Sequence, residues 1–169
     1  MLLSNLPKTI NILKTYNYTS NKSFSSITSN SKYTNESTIF IYNKYLNIKK
    51  KYIEEALSNK TPAIISNKYL DFLSIPQFIV SNINSETEIL LNKLYKNKPK
   101  KIIAITGTNG KTSVVWYISQ ILNLLNYNNI TVGTLGHFVN GKKLAEINLT
   151  TPAYEELYKY GNSSRKNNI

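Results

Sequence analysis

Residues 101–113 read Lys101-Ile102-Ile103-Ala104-Ile105-Thr106-Gly107-Thr108-Asn109-Gly110-Lys111-Thr112-Ser113. The opening five are an apolar run of strand length, and the rest place two glycines directly before a lysine and a hydroxyl residue. A phosphate-binding loop needs glycines so that successive backbone N–H groups can converge on an anion, and a following helix whose N-terminus adds partial positive charge. Gly107, Thr108, Asn109, Gly110 and Ser113 supply that backbone, Lys111 a point charge for the β- and γ-phosphates, and Thr112 a hydroxyl ligand for Mg²⁺. Only two residues separate the glycines, against four in the common loop of this kind, so the match is to a shorter variant. A plain strand-to-helix turn capped by Thr or Asn is the competing reading. It leaves unexplained why Lys and Thr follow the second glycine directly.

Downstream, Val114, Ile118, Ile121 and Leu125 recur at three and four residues, which predicts an amphipathic helix ending at Asn126-Tyr127-Asn128-Asn129. Ile130-Thr131-Val132-Gly133-Thr134 then reads as a returning strand. Strand, loop, helix and strand in that order predict a βαβ unit and a parallel sheet. Upstream, Asn97-Lys98-Pro99-Lys100 is a polar, proline-containing break that predicts a domain boundary, giving domains 1–98 and 99–169. In the first of these, Ser37 to Tyr42, Ala63 to Ser66 and Gln77 to Val80 read as strands. Tyr52 to Leu57 puts Ile53, Ala56 and Leu57 on one helix face, and Ser85-Glu86-Thr87-Glu88 reads as a capping box opening the stretch Ile89 to Tyr95. The fold class is therefore α/β: a small N-terminal α/β domain followed by the start of a parallel-sheet domain with a phosphate loop. The first 25 or so residues are weakly patterned and predict little.

Composition narrows the chemistry further. The chain has 169 residues, 41% hydrophobic and 18% charged, enough for one ordinary domain or two small ones. It has no cysteine, which excludes disulfides, thiolate metal sites and cysteine catalysis. His137 is the only histidine; beside a glycine turn with no second ligand nearby, it reads as structural, and Trp116 and the tyrosines read as packing. No apolar run approaches the roughly 18–20 residues that span a bilayer, so a cytoplasmic protein is expected. The net charge of +12 comes almost entirely from scattered lysines, with Arg165 the only arginine. Arginine reads bases and clamps phosphates bidentately, so this balance argues against a nucleic-acid partner.

Thr106 to Ser113, then Trp116, Gly133-Thr134-Leu135-Gly136 and Thr150-Thr151-Pro152 together resemble the central domain of the Mur ligases. Within that family the resemblance is to the enzymes that add the third residue of the peptidoglycan stem peptide. It implies a chain whose first domain binds the UDP substrate and whose second is the incomplete opening of the ATP-binding domain. It further implies ATP and Mg²⁺ as cofactors, with UDP-N-acetylmuramoyl-dipeptide and an amino acid as substrates. The substrate carboxylate is phosphorylated to an acyl phosphate, which the amine of the amino acid then attacks. Lys111 and Thr112 are the catalytic pair in this scheme, and Thr150 and Thr151 contact the UDP-muramoyl-dipeptide. Thr151 before Pro152, with Glu155 and Glu156 in the next turn, is also a good helix N-cap. Ile27-Thr28-Ser29-Asn30-Ser31-Lys32 followed by Thr38-Ile39-Phe40 resembles the family's uridine-binding segment, making Ser31 a substrate-binding candidate. Asn30 and Lys32 stand where the family has Asp and Arg. The acidic groups that complete the metal site and the domain that selects diaminopimelate or lysine are expected outside this sequence, so it reads as a fragment. Alone, the chain is expected to be a monomer without turnover. The alternative function is a catalytically inactive nucleotide-binding remnant or partner-binding module.

Overall fold

The structure is a computed structural model, and it describes residues 1–18, 21–46, 49–146 and 152–163. The chain divides into two compact units, Met1–Leu94 and Tyr95–Ile169.

The first unit is built on a five-stranded sheet in the order β1-β5-β4-β3-β2. Its strands are β1 (Lys14–Tyr16), β2 (Ser26–Thr28), β3 (Thr38–Tyr42), β4 (Ile64–Ser66) and β5 (Gln77–Ile79). β2 to β5 pair in parallel and β1 closes one edge antiparallel to β5, so the sheet is mostly parallel. Parallel strands with both neighbours in place are buried on both faces and read as continuous apolar runs rather than alternating ones. β3 behaves this way: Ile39, Phe40 and Ile41 are all buried. Phe40 and Ile64, partners in the ladder, pack under Ile53 and Ala56 of helix α1 (Lys50–Ser58), with Leu70 and Leu73 completing the cluster. Leu57 packs against it from the rim. Gln77 is fully buried, yet its amide is satisfied because Leu70 N–H donates to Oε1 and Nε2 donates to the Leu70 carbonyl, each at 3.0 Å.

Two local expectations change here. Helix α2 is Ile83–Leu94, so Ser85 lies inside it rather than capping it. Asn82 Oδ1 accepts the N–H groups of Asn84 and Ser85 at 3.1 Å, which is the N-cap geometry, and Glu86 is freed to accept Asn11 N–H at 2.9 Å. The weakly patterned N-terminus is ordered as well. Leu3–Lys8 forms a 3-10 helix whose Leu3 and Leu6, three residues apart, are fully buried.

In the second unit, helix α3 (Lys111–Leu124) follows the glycine loop directly. Strands β6 (Ile130–Gly133), β7 (Gly136–Val139) and β8 (Lys142–Ala145) then form an antiparallel meander, and α4 (Tyr154–Asn162) follows it. Among the described residues the expected βαβ unit is not formed: residues 101–105 make no β ladder there, and Ile102 is 79% exposed. β6 turns back instead through the two-residue Thr134-Leu135 turn, and a two-residue connection can join only antiparallel neighbours. Asn140 and Gly141 both have positive φ, 49° and 75°, as a type I′ turn between β7 and β8 requires.

The apolar stripe of α3 also differs from expectation. Val114, Ile121 and Leu125 are exposed, and the helix's one buried residue is Ser119. Besides Trp116 against Phe138, a polar junction ties α3 to the meander: Ser119 Oγ donates to Asn129 Oδ1 at 2.8 Å, and Asn129 N–H donates to Asn140 Oδ1 at 2.8 Å. A buried hydrogen-bonded junction fixes geometry while contributing modest net stability.

Candidate functional site

The loop Thr106–Gly110 is exposed and runs straight into the first turn of α3. Gly107 has φ 142° and Gly110 φ 77°, both in the region that favours glycine. A Cβ built on Gly110 meets nothing within 4 Å, so the conformation, not space, demands glycine there. Gly110 is the N-cap of α3 and offers no side-chain cap, and its carbonyl accepts Val114 N–H at 3.0 Å. The first-turn N–H groups that follow have no acceptor within the helix, which makes this end an anion cradle.

Lys111 bends back over the loop. Its Nζ donates to the carbonyls of Gly107 at 2.5 Å and Thr108 at 3.2 Å. Among the described residues the ammonium is therefore held on the loop by backbone acceptors and not by a carboxylate. Thr112, next along the helix, lines a niche of about 20 Å³ together with Trp116, Thr131, Phe138 and the turn Gly133 to Gly136. The phosphate loop and the Gly-Thr-Leu-Gly turn are thus brought side by side. Trp116 stacks edge-on against Phe138 with centroids 5.3 Å apart, a packing role. Gly136, with φ 122°, has no room for a side chain, because a Cβ would lie 2.6 Å from the Ala145 carbonyl oxygen. Thr131 Oγ1, on β6 beside Thr112, is buried without a hydrogen-bond partner among the described residues. Nothing in the sequence singles it out, because a threonine in a strand gives no signal of its own.

His137 is buried on β7 and stacks on Tyr160 with centroids 4.3 Å apart, and burial lowers its pKa. Among the described residues no group of three or more His, Asp or Glu side chains is placed to hold a metal ion. Thr150 and Thr151 lie outside the described residues. The N-cap of α4 is Ala153, with no side-chain cap, and Glu155 and Glu156 occupy its first turn.

Those two carboxylates are buried, and both push up the pKa of Tyr95, whose own burial is the larger cause. The Glu156 carboxyl is raised above its ordinary value chiefly by burial, with Glu155 adding to the rise and Lys159 opposing it. A raised folded-state value means the native state holds the proton more tightly than the unfolded chain. The stabilisation is then complete below the ordinary carboxylate range, near pH 4.5, and is lost as pH rises through the folded value. Thermal unfolding of Glu156→Gln should show a flatter decline of the midpoint above pH 4.5 than the parent chain. Identical slopes would remove Glu156 from this account.

Ser31 belongs to the first unit, in the turn after β2. It is 3% exposed, its Oγ donates to Glu55 Oε2 at 2.5 Å, and its carbonyl accepts Asn59 Nδ2 at 3.0 Å. Its visible work is to clamp the turn to α1.

A glycine loop, a helix N-terminus and a lysine bent over the loop come together in the second unit. Residues 105–169 match the Mur ligase middle domain family. It is 32% identical over 145 residues to the UDP-N-acetylmuramoyl-L-alanyl-D-glutamate--2,6-diaminopimelate ligase of Rickettsia felis, covering 83% of this chain and 27% of that protein. It is 31% identical over 110 residues to the enzyme of the same name from Alkaliphilus oremlandii, covering 64% of this chain and 22% of that one. The L-lysine ligase of Streptococcus agalactiae serotype Ia is 26% identical over 147 residues, 85% of this chain and 30% of its own length. A solved diaminopimelate ligase shares the fold with a TM-score of 0.61 at 23% identity, over 85% of this chain and 30% of that one. The chain thus spans less than a third of the length of these relatives. The α/β class stands as expected, while the mostly parallel sheet lies in the first unit and not in the second, where it was expected.

Proposed function

We propose that this chain carries the nucleotide-binding opening of an ATP-dependent amide ligase of peptidoglycan precursor synthesis, one that adds the third amino acid to UDP-N-acetylmuramoyl-L-alanyl-D-glutamate. The observation that carries this reading is the loop itself: positive-φ Gly107 and Gly110, with Lys111 Nζ held on the loop carbonyls at the start of α3. The family match and the relatives' names support the substrate class.

In this reading the N–H groups from Gly107 to Ser113 orient the phosphates of ATP, and Lys111 exchanges its loop carbonyls for phosphate oxygens. There it offsets charge developing on the transferred γ-phosphoryl. Thr112 would hold Mg²⁺ through its hydroxyl, and the ion would supply charge neutralisation at the phosphates. The phosphoryl group passes to the substrate carboxylate, releasing ADP. The amine then attacks the acyl carbon, expelling phosphate and losing a proton as the amide forms. Ser31, with its proton committed to Glu55, can serve the uridine only as an acceptor, and only if its turn opens. Thr150 and Thr151 remain the proposed contacts to the muramoyl-dipeptide. Positioning at the phosphates alone does not select the amino acid, so the 169-residue chain by itself is read as a nucleotide-binding module.

The test is ADP release from Mg·ATP with UDP-muramoyl-dipeptide present, with and without diaminopimelate or lysine. Binding without turnover is expected of this chain. Turnover dependent on the amino acid would show that it needs nothing more.

A further inference from the structure

The face of α3 turned to the meander is a single stripe: Thr112, Trp116, Ser119 and Asn123 follow one another at four, three and four residues. The last three find partners there. Trp116 stacks on Phe138, Ser119 Oγ donates to Asn129 Oδ1, and Asn123 Oδ1 accepts Asn129 Nδ2 at 2.7 Å. Thr112 is the end of the stripe next to the glycine loop, and it shares its niche with Thr131 of β6, whose ladder partner on β7 is that same Phe138. Thr131 Oγ1 is buried and makes no hydrogen bond among the described residues. The niche measures about 20 Å³, and Thr112, Thr131 and Thr134 all line it. That is room for one water, which needs two to four polar partners to be held. We propose that Thr131 is a positioning residue for Thr112: through one water in this niche it takes up the Thr112 hydroxyl proton in a hydrogen bond and leaves the oxygen's lone pairs to the phosphate loop.

The chemistry of a hydroxyl ligand asks for such a partner. A threonine that ligates a cation does so through its oxygen, so its proton must find an acceptor elsewhere, and groups of this kind orient the ligand they bond. Left to itself, a threonine in a helix divides between two rotamers, because its hydroxyl can also bond back to a carbonyl of the preceding turn. For Thr112 that turn is the glycine loop. An acceptor on β6 commits the side chain to one rotamer instead. Val115, Trp116 and Phe138 wall the niche with apolar surface, where a bonded hydroxyl is strengthened and an unbonded one is costly. The inference rests on the nucleotide-binding reading for what the Thr112 hydroxyl serves, and on the packing of α3 against β6 and β7 for how it is held.

The test begins with NMR of the intact chain without nucleotide, reading the Thr112 side chain through its three-bond couplings to the methyl carbon. One rotamer is expected in the parent and in Thr131→Ser. Averaging between two is expected in Thr131→Val, which keeps the shape, suits a strand and lacks the hydroxyl. A thermal midpoint equal to the parent's checks that Thr131→Val folds. Mg²⁺ titrated in at fixed ATP should then bind about 10- to 100-fold more weakly to Thr131→Val, with Thr131→Ser near the parent and the affinity for metal-free ATP the same in all three. An averaged Thr112 in the parent, or a fixed one in Thr131→Val, would overturn the proposal. So would an unchanged Mg²⁺ dependence in a Thr131→Val chain that binds ATP. A chain that fixes Thr112 only when residue 131 carries a hydroxyl, yet takes up no nucleotide, would uphold the positioning and remove the ligase reading instead.

Discussion

Phe40→Ala is expected to unfold the first unit or bring it to the edge of unfolding. Phe40 is fully buried on a central parallel strand, paired with Ile64 and roofed by Ile53 and Ala56 of α1. Truncating a phenylalanine in such a place costs about 3–5 kcal/mol, the transfer loss plus the cavity left behind. A domain of this size has about 5–15 kcal/mol in hand. The backbone at the gap is fixed as well, because Phe40 N–H donates to the Ala63 carbonyl and to Thr61 Oγ1, each at 3.2 Å. Urea unfolding of the intact chain followed by far-ultraviolet dichroism should show the first unit's transition shifted to much lower denaturant. Tyr45→Ala, at a side chain 75% exposed, should move it by less than about 0.5 kcal/mol. A loss under about 1 kcal/mol for Phe40→Ala would mean that Phe40 is not the centre of this core.

The second large effect falls on the loop. Gly110 caps α3 at φ 77°, and a left-handed conformation costs an ordinary residue about 1–2 kcal/mol, more for a β-branched one. Gly110→Val relieves that strain by moving the backbone out of the left-handed region. That turns the following N–H groups and the Lys111 ammonium away from a shared anion. Losing two charge-assisted contacts at about 1.5 kcal/mol each predicts about 100-fold weaker Mg·ATP binding. Gly110→Ala should fall between the parent and Gly110→Val, because it shares the conformational penalty without the β-branch. Open space around the Cβ means that neither variant should unfold the unit by a clash. Equal affinity in all three proteins would show that the loop does not bind phosphate through its backbone.

The loop was legible because its requirements are local: glycines where φ is positive, then Lys111 and Thr112 at a fixed spacing. β3 and β4 were legible because Ile39-Phe40-Ile41 and Ile64-Ile65 are runs that only a two-sided burial explains. β1 and β2, three residues each, are too short for a period to show. Residues 101–105 have the composition of a strand, but a strand is a pairing and not a run, and no described residue pairs with them. The meander does carry a local signal in Asn140-Gly141, a pair suited to a type I′ turn. The stripe on α3 was read correctly as apolar. Periodicity tells which residues share a face, however, and not whether anything covers it. Ser31 shows the same limit at a side chain, since no spacing reveals that its hydroxyl is spent on Glu55.

The central claim is that residues 106–113 bind the phosphates of a nucleotide, and titration calorimetry of Mg·ATP into the purified chain tests it most directly, with Lys111→Ala beside it. Saturable binding that weakens by about 100-fold or more in Lys111→Ala, with unfolding of both proteins unchanged, is the predicted result. A folded chain that takes up no Mg·ATP, or one that binds it equally well without the Lys111 ammonium, would contradict the account.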